Sequence, residues 1–220
     1  MSAAPRADLE LWRVEVGDAR PEEIADAIAV VARAMSTSPM PRAVIGPEPE
    51  RCLRHLTRFF ARLYRVARHQ RPLVARLDGR VLASTNDLVD GACRFGARER
   101  LRALPDLLLT PPAITARSLR WLAEWERRDP DRPHSHLGPL GVDPELQGRG
   151  IGSLMLAEYT RRLDARGEHS YLETDKPENV ALYGRFGFEI LEEAEVLEVP
   201  NWFMWRPAGA DAPATRDRSG

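Results

Sequence analysis

Gln147-Gly148-Arg149-Gly150-Ile151-Gly152-Ser153 separates a short apolar run ending in Leu140-Gly141-Val142 from an amphipathic stretch between Leu154 and Leu163. That order predicts a strand, a glycine-rich turn and a helix start. Such a turn is an anion cradle. Glycines let the backbone approach a phosphate closely, and the first-turn N–H groups of a helix lack intrahelical partners at the positive end of its dipole. The expected ligand therefore carries phosphates. A dinucleotide fingerprint would need G-x-G-x-x-G after the first strand of a βαβ unit, whereas these glycines read G-x-G-x-G two-thirds along the chain. A P-loop would need G-x-x-x-x-G-K-[ST], and the chain's single lysine is Lys176.

The pattern that remains is Q-x-x-G-x-G, preceded by Leu140-Gly141-Val142-Asp143-Pro144, and it resembles the acyl-CoA loop of the GNAT acyltransferase superfamily. Tyr171-Leu172-Glu173-Thr174 reads as the next strand. The segment Asn179 to Phe188 then resembles that superfamily's N-x-x-x-Y-x-x-x-G-F. Within the superfamily, His134-x-x-Leu137, Leu172-Glu173-Thr174 and Pro200-Asn201-Trp202-Phe203-Met204 are similar to the puromycin N-acetyltransferase group. The resemblance implies an α/β (α+β) fold of the GNAT type. Its central sheet is mixed and mainly antiparallel, of about seven strands, with a splay between two parallel strands and helices on both faces.

Bulk properties fit a soluble globular chain: 220 residues, 43% hydrophobic and 30% charged. A net charge of −1 argues against a nucleic-acid binder, which normally carries a positive excess. No apolar stretch is long enough for a bilayer, and Met1 to Leu9 lacks the apolar core of a signal peptide, so the expected compartment is the cytoplasm, away from membranes. Cys52 and Cys93 form no C-x-x-C pair and are read as free thiols.

Residues 1–8 and 207–220 lack periodic apolar positions and are expected to be disordered, leaving a single domain at 9–206. Leu9 to Val16 alternates as a first strand. Pro21 opens a helix with Ile24, Ile28 and Val31 on one face, and Pro49 opens another carrying Leu53, Leu56, Phe60 and Leu63. That second helix shows arginines 51, 54, 58, 62 and 65 opposite, a solvated face. Asp78-Gly79 joins two strands in a tight hairpin. Residues 96–130 read as a helical insertion, suited to wall the acceptor pocket. A strand from His136 to Val142, the loop, a helix to about Ala165, the strand Ser170 to Thr174, a helix from Glu178 and a strand from Phe188 follow. Val199-Pro200-Asn201 then turns into a last strand, Trp202 to Arg206.

The resemblance implies that the thioester arm enters between the strands ending at Val142 and at Thr174. Leu140, Gly141 and Val142 would supply backbone to the arm; Gln147, Gly148, Arg149, Gly150, Ile151, Gly152 and Ser153 would hold the pyrophosphate; Asn179 and Tyr183 would reach the arm. Pro139 fits a splayed or bulged strand, since it has no N–H to offer a neighbour. Direct transfer to an amine needs an acid for the departing thiolate, and the resemblance places Tyr183 there. His136 and Glu173 are the candidate bases, with His134 two residues away. Two histidines without a third ligand argue against a metal, so acetyl-CoA is the sole expected co-substrate. The acceptor is expected to be the primary amine of a small molecule, with no nucleic acid or membrane partner and a homodimer left open. An acyl-CoA-binding regulatory module and a peptide or protein acetyltransferase are the competing readings. Glu189, Glu192, Glu193, Glu195 and Glu198 read first as a solvated acidic edge and second as an attractor for a cationic acceptor.

Overall fold

The computed structural model describes residues 10–66, 70–89 and 110–209. In chain order the strands are β1 (Glu15–Asp18), β2 (Gln70–Leu77), β3 (Arg80–Val89), β4 (Ser135–Leu137), β5 (Gly141–Val142), β6 (Ser170–Thr174), β7 (Glu189–Val196) and β8 (Val199–Arg206). The helices are α1 (Ile24–Met35), α2 (Pro39–Ile45), α3 (Pro49–Val66), α4 (Pro112–Glu126), α5 (Ile151–Arg166) and α6 (Pro177–Gly184). One sheet runs β1-β2-β3-β4-β6-β8-β7, with β5 also on β3. Among the described residues, only β4 and β6 pair in parallel. Residues 1–8, 96–109 and 210–220 lie outside the described residues, and with them the expected N-terminal tail, most of the expected C-terminal one and the start of the insertion; so does Cys93. At the start of the expected C-terminal tail Ala208 is buried and its N–H bonds to His169 Nδ1 at 2.9 Å.

Among the described residues the sheet counts eight strands, against the expected about seven, because the run from His136 to Val142 is broken in two. Asp87 faces Leu137 and Ser84 faces Gly141, so three steps along β3 match four on the opposite strand. This is a bulge, and Pro139 sits in it. Gly138 donates to the Asn86 carbonyl at 2.7 Å, and a Cβ at position 138 would stand 2.6 Å from that oxygen. The bulged segment thus stays on β3 while β6 continues toward Thr174 along β8. The two parallel strands share only Ser135 with Ser170 and His136 with Tyr171, then diverge.

Alternation along the strands sends side chains to two cores. Tyr171, Phe203 and Trp205 pack with α1, α2, α3 and α4, including Val31, Met40, Leu56 and Trp121. Leu172 and Met204 pack on the other face with Met155, Leu156 and Leu163 of α5 and with Tyr183 and Phe188. Cys52 is a buried free thiol donating to the Gly46 carbonyl. Arg54, Arg58 and Arg65 of α3 face solvent, in line with the solvated-face reading.

Two local expectations give way. Leu11–Arg13 is a 3-10 turn and β1 begins only at Glu15. Arg13 N–H bonds to the Glu10 carbonyl, Trp12 stays 81% exposed, and Leu11 is drawn over Gly150, so the alternation has no sheet to serve. The final turn is Leu197-Glu198, with φ of 51° and 63°, and β8 already includes Val199, Pro200 and Asn201. A two-residue turn of type I′ needs both positions left-handed, which non-glycine residues adopt only under a strong surrounding register. The pairing of Val196 with Val199, both buried, supplies it.

Glu23, at the start of α1, and Arg76 of β2 form a buried bidentate pair, with Nε to Oε1 at 2.7 Å and Nη2 to Oε2 at 2.9 Å. Glu23→Ala is expected to cost about 3–5 kcal/mol in urea unfolding, because the guanidinium is left buried without its charge partner. The Arg76 hydrogen bonds hold the Glu23 carboxyl below its ordinary value. Its stabilisation is therefore present above the ordinary carboxylate range and lost as pH falls through the lower folded value, so the acid limb of the wild-type stability curve is steeper than that of the variant.

Candidate active site

The glycine loop is built by its own backbone demands. Gly148 and Gly150 have φ of 75° and 88°, and Gly150 is the residue before the first turn of α5. A Cβ at 150 would also meet Leu11 Cδ1 at 3.1 Å. Asp143 anchors the approach: its carboxylate accepts from Glu145 N–H at 3.2 Å and from Arg33 and Arg80 at 3.1 and 3.2 Å. Burial opposes its ionisation, but these donors outweigh it and hold its carboxyl below the ordinary value. Gln147 Nε2 donates to the Val142 carbonyl at 3.1 Å and ties the loop back to β5. Gly152 differs from the other two, because a Cβ there would stand 3.7 Å from Val142 Cγ2, an ordinary contact.

A cavity of about 680 Å³ runs through the splay. Leu140, Val142, Gln147, Gly148, Gly150, Ile151, Gly152, Ser153, Asn179 and Tyr183 line it from the α5 side, and His136 and Glu173 line it from the other. Gly141 and Arg149 are not on its wall; Gly141 is pressed against α1, where a Cβ would stand 2.7 Å from Val31 Cα. The five glutamates of the β7–β8 hairpin are absent from the lining as well. They sit at the sheet's edge strand or its turn, where charge discourages edge pairing.

Tyr183 is buried on α6, edge-on to Phe188 at 5.9 Å between ring centroids. Burial, and then the nearby Asp175 carboxylate, push its phenol well above the ordinary tyrosine value, so it carries its proton throughout the working range. Asp175 is itself raised by burial while accepting from the Met40 N–H at 2.7 Å. Asn179 donates to Thr174 Oγ1 at 3.3 Å, tying α6 to the end of β6.

On the opposite face His136 Nε2 lies 2.8 Å from Glu173 Oε2, with the Glu173 side chain 3% exposed. The parallel register explains the meeting: His136 is beside Tyr171, and Glu173 is two residues on, on the same face. His134 is buried beside them, its ring edge-on to Tyr171 and Trp205, and burial holds it below the ordinary histidine value. Asp129, just beyond α4, adds a carboxylate 3.9 Å from His136 Nδ1. Phe59, Phe60, Trp121 and Trp125 wall this end of the cavity. Sequence reading expected residues 96–130 to wall the acceptor pocket, and Trp121, Trp125 and Asp129 line the cavity from that segment. It gave Asp129 no role and missed Phe59 and Phe60, because only the docking of α3 and α4 brings these side chains to β4 and β6. The Asp129-Pro130 dipeptide reads merely as a helix stop.

Residues 42–188 match the Acetyltransferase (GNAT) family. The chain belongs to that family. Mycothiol acetyltransferase of Saccharomonospora viridis is 36% identical over 64 residues, which cover 28% of this chain and about a fifth, 21%, of that relative's length. The solved structure of histone acetyltransferase HPA2 and related acetyltransferase from Corynebacterium glutamicum has a TM-score of 0.66 and 21% identity, over 92% of this chain and 99% of its own. A GNAT family acetyltransferase from Brucella melitensis, in complex with acetyl-CoA, has a TM-score of 0.51 and 20% identity, over 91% of each chain. The mixed sheet with one parallel pair is the GNAT fold. These likenesses establish the superfamily and not the puromycin N-acetyltransferase group. Among the described residues, no helix of this acetyltransferase-family chain is long and apolar enough to cross a membrane.

Proposed function

We propose that the chain transfers acetyl from acetyl-CoA to the primary amine of a small molecule in one ternary-complex step. The observation that carries this reading is one continuous cavity with the glycine loop and Tyr183 on one side and the His136–Glu173 pair on the other. The thioester arm lies along Leu140 and Val142, and the pyrophosphate meets N–H groups of the loop from Gly148 to Ser153. The acceptor enters from the aromatic end. Its nitrogen attacks the acetyl carbonyl carbon, the tetrahedral oxyanion collapses with cleavage of the C–S bond, and Tyr183 passes its proton to the departing thiolate. The Glu173–His136 pair takes the proton that the amine sheds. Trp121 and Trp125 line that end of the cavity, and walling it with bulky rings favours a small acceptor over a protein surface.

Gly152 is then a ligand glycine, since the fold itself would accept a side chain there. Gly152→Ala should leave thermal unfolding unchanged and raise the KM for acetyl-CoA about tenfold, equivalent to about 1.4 kcal/mol of binding. A variant with unchanged KM removes the pyrophosphate from this loop. The reaction itself is tested by following thiol release from acetyl-CoA with puromycin-like nucleosides, amino sugars, polyamines, aromatic amines and peptides. Release with a small amine supports the proposal; acetyl-CoA binding without release for any acceptor identifies a binding module, and release with peptides alone identifies a peptide acetyltransferase.

A further inference from the structure

Behind the His136–Glu173 pair the fold gathers two further donors, Asp129 and His134, that acetyl transfer does not use. The side chains of His134, Asp129 and His136 are 3%, 5% and 12% exposed. One ligand atom from each lies within 4.8 Å of the others. To the Asp129 carboxylate, His134 Nε2 measures 3.6 Å and His136 Nδ1 3.9 Å.

The outer nitrogen of each ring fixes its tautomer. His134 Nδ1 is 2.8 Å from the Arg132 carbonyl, which can only accept, so Nδ1 carries the proton. His136 Nε2 is 2.8 Å from the Glu173 carboxylate and donates to it. With its proton on Nδ1, neutral His134 directs the Nε2 lone pair toward the side where Asp129 places its negative charge, and His136 Nδ1 lies on that same side. The His134 lone pair and the Asp129 carboxylate repel, and a cation between them turns repulsion into attraction. His134 Nε2 is buried with no hydrogen-bond partner, and two aromatic rings hold its imidazole in place.

We propose that Asp129, His134 and His136 form a binding site for a divalent transition cation of the zinc class. Imidazoles whose outer N–H groups bond to a backbone carbonyl and a carboxylate are the arrangement that orients metal-ligating histidines. Two nitrogens and one carboxylate suit zinc or cobalt, whereas magnesium and calcium take oxygen ligands. Bonds of about 2.0–2.1 Å in a tetrahedron need ligand atoms about 3.3 Å apart, so the 3.6 and 3.9 Å separations close by roughly 0.3 and 0.6 Å and the widest pair of the set, within 4.8 Å, by up to about 1.5 Å as the side chains turn onto the ion. The fourth position faces the cavity, which Asp129 and His136 line. Resting on the proposed function, occupancy also draws on the His136 ring that backs Glu173 and slows acetyl transfer. The sequence alone supplied two histidines; the fold adds the third ligand.

The test uses the full chain stripped of metal by chelation. Calorimetry with Zn²⁺ should give one site per chain, and Co²⁺ should produce the intense visible bands of a four-coordinate ion. His134→Ala should weaken Zn²⁺ by more than the roughly 10–100-fold that loss of an outer partner costs, and Asp129→Asn, which preserves shape, should abolish the cobalt bands. Thermal melts without metal verify that both variants fold. His55→Ala, on α3 away from the cluster, should bind as wild type does. Absence of stoichiometric binding, or binding undiminished in either cluster variant, overturns the site. Stoichiometric binding lost in both variants supports it even if thiol release fails with every amine, an outcome that would sink the proposed function alone.

Discussion

Tyr183→Phe is expected to lower kcat by about 10²–10⁴-fold while leaving the KM for acetyl-CoA within a few-fold of wild type. The phenol lies on the cavity wall, and burial together with the Asp175 carboxylate keeps it protonated. A group held in its acid form beside the leaving sulfur can deliver a proton only while the C–S bond breaks, so its loss appears in the transition state and not in donor binding. Phenylalanine preserves the packing on Phe188 and removes only the O–H. Stopped-flow thiol release with the acceptor found in the panel measures the effect, and undiminished kcat would discard Tyr183 as the acid.

The second large effect is expected at Glu173. Its carboxylate is buried against His136 at the end of β6, where the splay opens the cavity. Glu173→Gln should reduce kcat by about 100-fold or more for an ordinary alkylamine, which must lose a proton to attack. For a weakly basic amine that is already neutral at the assay pH, the same substitution should cost much less. That contrast separates a base from a residue that merely positions His136, since a positioning role would penalise both acceptors equally. Equal losses for both amines would therefore reject Glu173 as the base.

The donor half of the site was legible because it is contiguous. The loop from Gln147 to Ser153 lies in one strand–turn–helix unit, and a four-residue spacing puts Asn179 and Tyr183 on one helix face. Local backbone rules suffice there: positive φ at Gly148 and Gly150, and open N–H groups in the first turn of α5. The first strand was misread for the complementary reason. Leu11 and Trp12 alternate in sequence, but whether an alternating run pairs depends on a partner strand, and β2 offers its register only to Glu15–Asp18.

By itself, then, the sequence determined the family, the sheet-and-helix order and the phosphate cradle, all set by interactions within about ten residues or by motif spacing. Tertiary structure alone decided that Gly138 and Pro139 bulge against β3, that β4 and β6 separate after two paired residues, and that Asp129 arrives beside His134 and His136. Those outcomes depend on groups far apart in the chain. Burial holds Glu173 against His136 and orients the rings, and it exists only once α1 to α4 have closed over the sheet.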